Sequence, residues 1–350
     1  MKLASSEQRD FAESVGALLR KRDPLERLRR APGPRRFDAG LWSELVANGL
    51  LEPAGAGDVV TACLVAEALG RAAAPLPFLS ASVADALVVP AGGEVTGLAT
   101  YGLTAEDGTW SAPALSIRDG LVHGTLPFVP DGDVADVVVA AVEAPEGRRL
   151  ALVRTSDATV EPLESLDATQ PLARVVCRAC PATPLPACGA ELASVIAEAR
   201  LLALALHGAT LLGLATWLLD TTVEYTAQRV QFGMPIAGRQ AVKHRCASML
   251  VQVESMRSMV LELADALETG AGDRALVAAT TMAWTTEAAE EVAGGALHLH
   301  GGIGFTWEHD LHHYFKRCTV GALLLGTAAH HRAQVAAALT GVTPQSDSTE

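Results

Sequence analysis

The chain has 350 residues, 49% of them hydrophobic but only 4% aromatic, and a formal net charge of −13. That length suits two or three domains. An interior dominated by Ala and Leu suits packed helices rather than a β-sandwich, and the charge argues against nucleic acid as a partner. The chain is read as holding no run of about 18 uncharged apolar residues and no signal-peptide pattern, so a cytoplasmic protein with no membrane partner is expected.

Residues 5–30 place Phe11, Val15, Leu18 and Leu19 at helical spacing among charges, which predicts a helix. Asp38 can cap a second helix carrying Leu41, Trp42, Leu45 and Val46. A third is predicted over 59–71, ended by Pro75 and Pro77, and a short one over 80–88 closes an all-α domain at about residue 93. The pattern then changes. Residues 115–126 alternate with a period near two about Asp119-Gly120, a hairpin signal. The β-branched run 134–142 reads as a buried strand, and 149–154 and 173–177 read likewise. A small β domain over 94–188 follows, with Pro181, Pro184 and Pro186 as the linker out of it.

From 189 to 342 the chain reads as helical, in segments 190–228, 239–268 and 273–297, with shorter helices after Thr306, which is read as an N-cap, and after Thr327. On the second segment Val242, Cys246, Met249, Val253, Met256, Val260 and Leu263 recur at alternating spacings of four and three, a bundle seam. Long antiparallel helices on short loops make a four-helix bundle. The whole is an α+β chain: a helical domain over 1–93, a truncated β domain over 94–188, a bundle over 189–342 and a disordered tail over 343–350. Cys177 and Cys180 form a CxxC with Cys188 nearby, but no fourth ligand lies beside them, so reduced thiols and no metal are expected.

Two Gly-containing stretches between long helices carry the functional signal. One is Tyr225-Thr-Ala-Gln-Arg229-Val-Gln231-Phe232-Gly233-Met-Pro-Ile236, followed by Gln240; the other is His298-Leu-His-Gly301-Gly302-Ile-Gly304-Phe305. They resemble the Y-x-x-x-R-x-x-F-G-x-x-I…Q and Q-x-x-G-G-x-G-[FY] signals of the acyl-CoA dehydrogenase family, whose architecture has the same order of helical domain, β domain and helical bundle. The resemblance covers the C-terminal half well and extends weakly to residues 67–78.

The resemblance implies FAD and an acyl-CoA thioester substrate: a carboxylate takes the α proton and flavin N5 takes the β hydride. It implies that Arg229, Gln231, Phe232, Gln240, His298, Gly301 and Gly302 reach across a subunit interface to the diphosphate and adenine of FAD. An arginine at a helix end can grip diphosphate with two bonds, and close-approach glycines expose amides to the same anion. His298 stands where the family keeps Gln, and keeps one donor. The alternative for Arg229 is a simple helix C-cap.

Other family parts are missing. Residues 98–112 occupy the place of the flavin-ring stretch T-E-x-x-x-G-S-D and are too short, and the P-E-x-x-G-G turn is reduced to Glu52-Pro-Ala-Gly-Ala-Gly57. The usual base lies in an E-G-T stretch; here it reads Leu325-Gly326-Thr327. The minority base position falls on Ala203-Leu204, and the nearest acid, Glu198, reads as an ordinary helix residue. His309 and His313 are spaced i, i+4, but His300, Glu308, His309, Asp310, His312 and His313 read better as a decorated helix start with interface histidines than as metal ligands.

The run 305–317 resembles a small-subunit group of the family, found in actinobacterial sterol and bile-acid side-chain breakdown. There a short base-less chain pairs with a longer acyl-CoA dehydrogenase subunit as an α2β2 heterotetramer. The resemblance therefore implies a chain that completes its partner's FAD site, with electron-transfer flavoprotein as acceptor and a bulky CoA thioester such as a steroid side chain as substrate. Two rivals stay open: a self-contained homo-oligomeric flavoenzyme with a relocated base, and a structural partner without cofactor.

Overall fold

The computed structural model describes residues 4–30, 37–110 and 115–341; the tail expected to be disordered, 343–350, lies outside them. The first helix, α1 (Ser6–Arg22), opens on a reciprocal cap: the Ser5 hydroxyl accepts from the Gln8 amide and the Gln8 side chain accepts from the Ser5 amide. The helical stretch expected over 5–30 is two helices. Asp23 turns to φ 42 ahead of Pro24, which ends α1, and α2 (Glu26–Arg30) starts beyond. Proline cannot donate to the ladder and disfavours a helical residue before it. Next come α3 (Ala39–Ala47), capped by Asp38 as expected, α4 (Glu52–Gly55), α5 (Val59–Arg71), capped by Asp58, and α6 (Phe78–Val88).

Seven strands follow: β1 (Ala99–Gly102), β2 (Leu115–Arg118), β3 (Leu121–Pro130), β4 (Val137–Ala144), β5 (Gly147–Arg154), β6 (Thr159–Pro162) and β7 (Leu172–Pro184). The β2–β3 hairpin turns on Asp119 (φ 51) and Gly120 (φ 75), the left-handed pair that a two-residue turn needs. The sheet closes on itself: β4 pairs β2 on one side and β5 on the other, and β3 and β7 complete the ring. The apolar run of β4 is explained by burial on both faces. Val138, Ala140 and Val142 fill the barrel, while Val137, Val139 and Ala141 pack on the helical core. The expected proline linker is corrected: β7 runs on through Pro181 to Pro184, and only Pro186 lies beyond it. The amides of Ala182 and Leu185 carry the ladder there, so the prolines stand where no donor is needed.

The C-terminal half holds α7 (Gly189–Gln228), a small hairpin of β8 (Val230–Gln231) and β9 (Met234–Pro235), then α8 (Gln240–Thr269), α9 (Arg274–His300), α10 (Leu311–Gly321) and α11 (Ala328–Thr340). Helices α7, α8, α9 and α11 form the bundle. On α8 the seam is buried from Met249 to Leu263, while Val242 and Cys246, at the end near the hairpin, are only half-buried. Thr306 does not cap a helix: residues 301–305 form a tight 3-10 turn, the Thr306 hydroxyl donates to the Ile303 carbonyl, and α10 opens only after Asp310. Thr327 does cap α11, accepting from the His330 amide.

The expectation of no long uncharged apolar run also fails, because residues 201–219 of α7 carry no Asp, Glu, Lys or Arg. By length and composition α7 could cross a membrane, with a mean hydropathy of 1.7, but 89% of that window is buried inside the fold, as the core helix of a globular protein is. At about 1.5 Å per residue it spans roughly 60 Å. It crosses α5 at backbone contact. A Cβ added to Gly213 would lie 2.0 Å from the Glu67 carbonyl oxygen, and one added to Gly70 would lie 2.2 Å from that of Thr210.

Gly213→Ala should therefore cost about 1–3 kcal/mol of stability, whereas Gly294→Ala, on α9 with nothing within 4 Å of its added methyl, should be neutral or stabilising by up to about 1 kcal/mol. Denaturant unfolding of the two variants checks both. A second expectation concerns pH. His207, His313 and His331 are 3%, 5% and 0% exposed, and burial holds each down at about 4, from an ordinary 6.5. Between those values the unfolded chain binds more protons than the folded one. Their contribution is present above pH 6.5 and is lost as pH falls toward 4. The melting temperature, followed over that range, should drop with pH.

Candidate cofactor site

The 229–240 segment leaves α7 as a hairpin, not a slack loop. The Arg229 amide donates to the Tyr225 carbonyl at 2.8 Å, and the Ile236 amide closes the hairpin onto the Arg229 carbonyl at 2.9 Å. The turn residues are Phe232 (φ 52) and Gly233 (φ 79). A bulky residue in the left-handed region is strained, and here the strain puts the Phe232 ring at the tip, 89% exposed. The Arg239 guanidinium sits 4.9 Å from its centroid, within cation–π range. Gln231 donates to the Val230 carbonyl, and Gln240 Nε2 lies 3.3 Å from His244 Nε2.

Charge is unevenly placed. In a chain of net charge −13, residues 229–245 contain Arg229, Arg239, Lys243 and Arg245 and no Asp or Glu. Among the described residues none of the four joins a salt bridge, and the Arg229 side chain has no hydrogen-bond partner. Arginines elsewhere, such as Arg29, Arg257 and Arg332, are ion-paired. A cationic surface without its own counter-ions is suited to an anion.

The second stretch starts where α9 ends. Gly301 takes φ 64, and a Cβ added to Gly301 or Gly302 meets nothing within 4 Å, so their backbone is open to close approach. Gly304 is buried instead. His298 is exposed on the last turn of α9, and Phe305 and Trp307 are exposed beyond the glycines. The two stretches are joined by a ring pair that sequence reasoning missed: Tyr225 stacks on His300, with centroids 4.4 Å apart and planes 18° off parallel. The only signal for it was that Tyr225 and His300 belong to the two motifs. The Gly301 amide is spent on the α9 carbonyls of His298 and Leu297, which leaves the open backbone at Gly302, the unpaired Arg229 guanidinium and a bordering aromatic ring as the groups with the chemistry to meet a diphosphate.

The ring end is not matched. Leu325 is buried, at φ 60, beside Gly326 at φ 108. The cavity against it holds about 20 Å³, room for roughly one water. Tyr101, Thr104, Phe128, His207 and Leu324 are among its walls, with no Asp or Glu. The Tyr101 ring lies tilted against Trp110, with centroids 5.3 Å apart, and Thr104 bridges to both Trp110 and Phe128, so the shortened segment, as far as Trp110, packs closely around this small space. The reduced 52–57 turn is taken up by α4. His207 Nε2 is engaged by the Gly321 carbonyl at 2.8 Å. Ala203 and Leu204 are core residues, and Glu198 is ion-paired to Arg274.

The histidines after the glycine turn pack among aromatic rings. His312 and His313 lie 4.0 Å apart with Trp307 against them, Lys316 sits over Trp307, and His309 Nδ1 accepts from the Leu311 amide. Among the described residues no three His, Cys, Asp or Glu side chains gather as a metal set. Cys177 and Cys180 are buried in the barrel, and Cys188 is exposed at the start of α7.

Comparison with known proteins accords with this architecture. Residues 196–340 match the family model for the acyl-CoA dehydrogenase C-terminal domain. The chain is 32% identical over 335 residues to the acyl-CoA dehydrogenase IpdE2 of Mycolicibacterium smegmatis, covering 92% of this chain and 95% of that protein. Its fold superposes on the ChsE4-ChsE5 complex from Mycobacterium tuberculosis with a TM-score of 0.84 at 23% identity, covering 98% of this chain and 100% of that one. It superposes equally on the Tcur3481-Tcur3483 steroid ACAD G363A variant, with a TM-score of 0.84 at 26% identity over 96% of this chain and 98% of the other. With a full-length relative at this identity and the family's fold from end to end, the chain belongs to the acyl-CoA dehydrogenase family.

Proposed function

We propose that this chain is the short, base-less subunit of a heteromeric acyl-CoA dehydrogenase and that it completes the FAD site of a longer partner subunit. The observation that carries the reading is the contrast between its two site ends. The 229–245 surface is cationic, open and without counter-ions, while the cavity at Leu325 has room for about one water and no carboxylate. In the complex, Arg229 would hold the diphosphate, and the Gly302 amide, on the turn that Gly301 opens by capping α9, would approach the same anion. Phe232, Gln231, Gln240 and His298 would border the adenosine side. FAD, when bound, supplies the hydride acceptor; this chain's part is to bind and orient it and to keep water from that end. The proton-abstracting carboxylate would come from the partner, because Leu325 cannot accept a proton.

The substrate is read as a bulky CoA thioester, such as a steroid side chain, and the acceptor as electron-transfer flavoprotein. The likeness to a protein described as a steroid ACAD supports the first; the second rests on the family. The α2β2 assembly, like the acceptor, rests on the family resemblance. The self-contained alternative has little to stand on: of the two titratable groups at the cavity, His207 is already bonded to the Gly321 carbonyl, and burial pushes the Tyr101 hydroxyl far above the usual phenol range.

The test is co-expression with the longer acyl-CoA dehydrogenase chain, purification of the pair and of each chain alone, and a visible spectrum. This chain alone should be colourless and inactive, while the pair should carry flavin and oxidise a steroid-type acyl-CoA with an artificial acceptor. A yellow, active preparation of this chain alone would overturn the reading. Within the pair, Arg229→Ala should remove charge-assisted bonds worth about 1.5–3 kcal/mol, weakening FAD binding by roughly 10- to 150-fold. The melting temperature of the isolated chain should not move, since Arg229 is exposed and bonded through its backbone alone among the described residues. Unchanged flavin retention would make Arg229 a helix cap only.

A further inference from the structure

The two stretches proposed to grip FAD come from different helices, and both must be held in place for the grip to be firm. One leaves the C-terminus of α7 and the other the C-terminus of α9. Tyr225 is bonded through its carbonyl to the Arg229 amide, and His300 immediately precedes Gly301. The stack between these rings, with the Tyr225 hydroxyl donating to the His300 carbonyl at 3.4 Å, therefore joins the root of one stretch to the root of the other. Resting on the cofactor-completing reading above, we propose that His300 is a positioning residue: stacked on Tyr225 in its neutral form, it sets the register between the Arg229 hairpin and the Gly301-Gly302 turn, and the hold on FAD loosens when it is protonated.

The surroundings of the ring favour the neutral form. His300 is 3% exposed. Its Nδ1 lies 2.8 Å from the Ala296 carbonyl, an acceptor, so Nδ1 carries the proton. Nε2 is then the bare nitrogen, and it is buried without a hydrogen-bond partner. A second proton would have to sit there, as an unsatisfied buried donor carrying charge. The titratable groups facing the ring are Tyr225 from α7 and His309 from the turn before α10, the latter with its ring 5.0 Å away. His309 opposes a charge on His300, and no carboxylate is placed to offset it. Burial is the larger of the effects that hold His300 below the ordinary histidine range.

The sign follows. Because burial holds His300 below the ordinary histidine range, the joint stays intact through about pH 6.5 and opens only as pH falls further, through that lowered value. An aromatic pair contributes about 0.5–1.5 kcal/mol, so losing it should weaken FAD binding by up to roughly tenfold.

The experiment uses the co-purified pair and measures flavin retained after dialysis at about pH 7.5 and about pH 5, the second well below the ordinary histidine range. Wild type should keep flavin at the higher pH and lose part of it at the lower. His300→Phe, which keeps a flat ring but cannot be protonated, should retain flavin equally at both. His300→Ala should lose flavin at both; if it does not assemble, the pH comparison of wild type with His300→Phe decides. NMR of the chain alone gives a readout independent of flavin: the signal of the buried His300 ring should titrate below those of the exposed histidines and move back toward them in Tyr225→Leu. A His300→Phe pair with the same pH loss as wild type would overturn the proposal, as would a His300 signal that titrates with the exposed histidines. Arg229→Ala, run beside these, separates the two levels. If it sheds flavin while every His300 variant behaves as wild type, the joint is wrong and the cofactor-completing reading stands. If Arg229→Ala also keeps its flavin, that reading is what has failed.

Discussion

The contact on which most of the structure depends is the crossing of α5 and α7, made backbone to backbone at Gly70 and Gly213. No side chain separates the two helices there, so their spacing is set by covalent geometry rather than by adaptable packing. Helix α7 is then buried along most of its length against α5, α6, α8, α9 and α10. It carries a fixed frame from the barrel at its start to the hairpin at its end. Both ends of the proposed site are positioned by this one element: His207 beside the closed cavity, and Tyr225 and Arg229 at the open surface.

That shared frame gives physical meaning to the asymmetry of the site. At one end side chains fill the space, with Tyr101, Trp110 and Leu325 leaving only a small void. At the other, strain and exposure persist: Phe232 is held in the left-handed region with its ring in solvent, and four basic residues lack counter-ions among the described residues. A buried apolar plug is self-sufficient. A cationic surface bordered by exposed rings, with no counter-ions among the described residues, is left open to an anion.

Much of the fold was legible in the sequence, because it rests on local rules. The Asp38 cap, the helix after Thr327, the Asp119-Gly120 turn and the 59–71 helix all follow from residue chemistry within a few positions. What escaped was non-local. Closure of the barrel depends on β4 meeting strands from both sides, and Pro181 and Pro184 are tolerated in β7 only because neighbouring amides carry its ladder. Thr306 has the chemistry of a cap, but the 3-10 turn engages its hydroxyl first. The stretch 201–219 is apolar enough for a membrane, and only the helices packed round it identify it as core. Of the candidate site, the residues were legible as motif members. The Tyr225–His300 stack was not, since 75 residues separate the two rings.

The backbone at Leu325 has a consequence for how such chains can diverge. Leucine has no preference for φ 60, where a non-glycine residue costs about 1 kcal/mol or more. The bend must therefore be imposed by its surroundings: Gly326 at φ 108, the packing of Leu325 in the core and the anchoring of Gly321 by His207. The loop thus works as a mount whose shape is independent of what is fitted to it. A residue able to carry a proton could be exchanged for one that cannot, or the reverse, without the loop being refolded. The shape of the loop and the chemistry it presents can therefore change independently of one another.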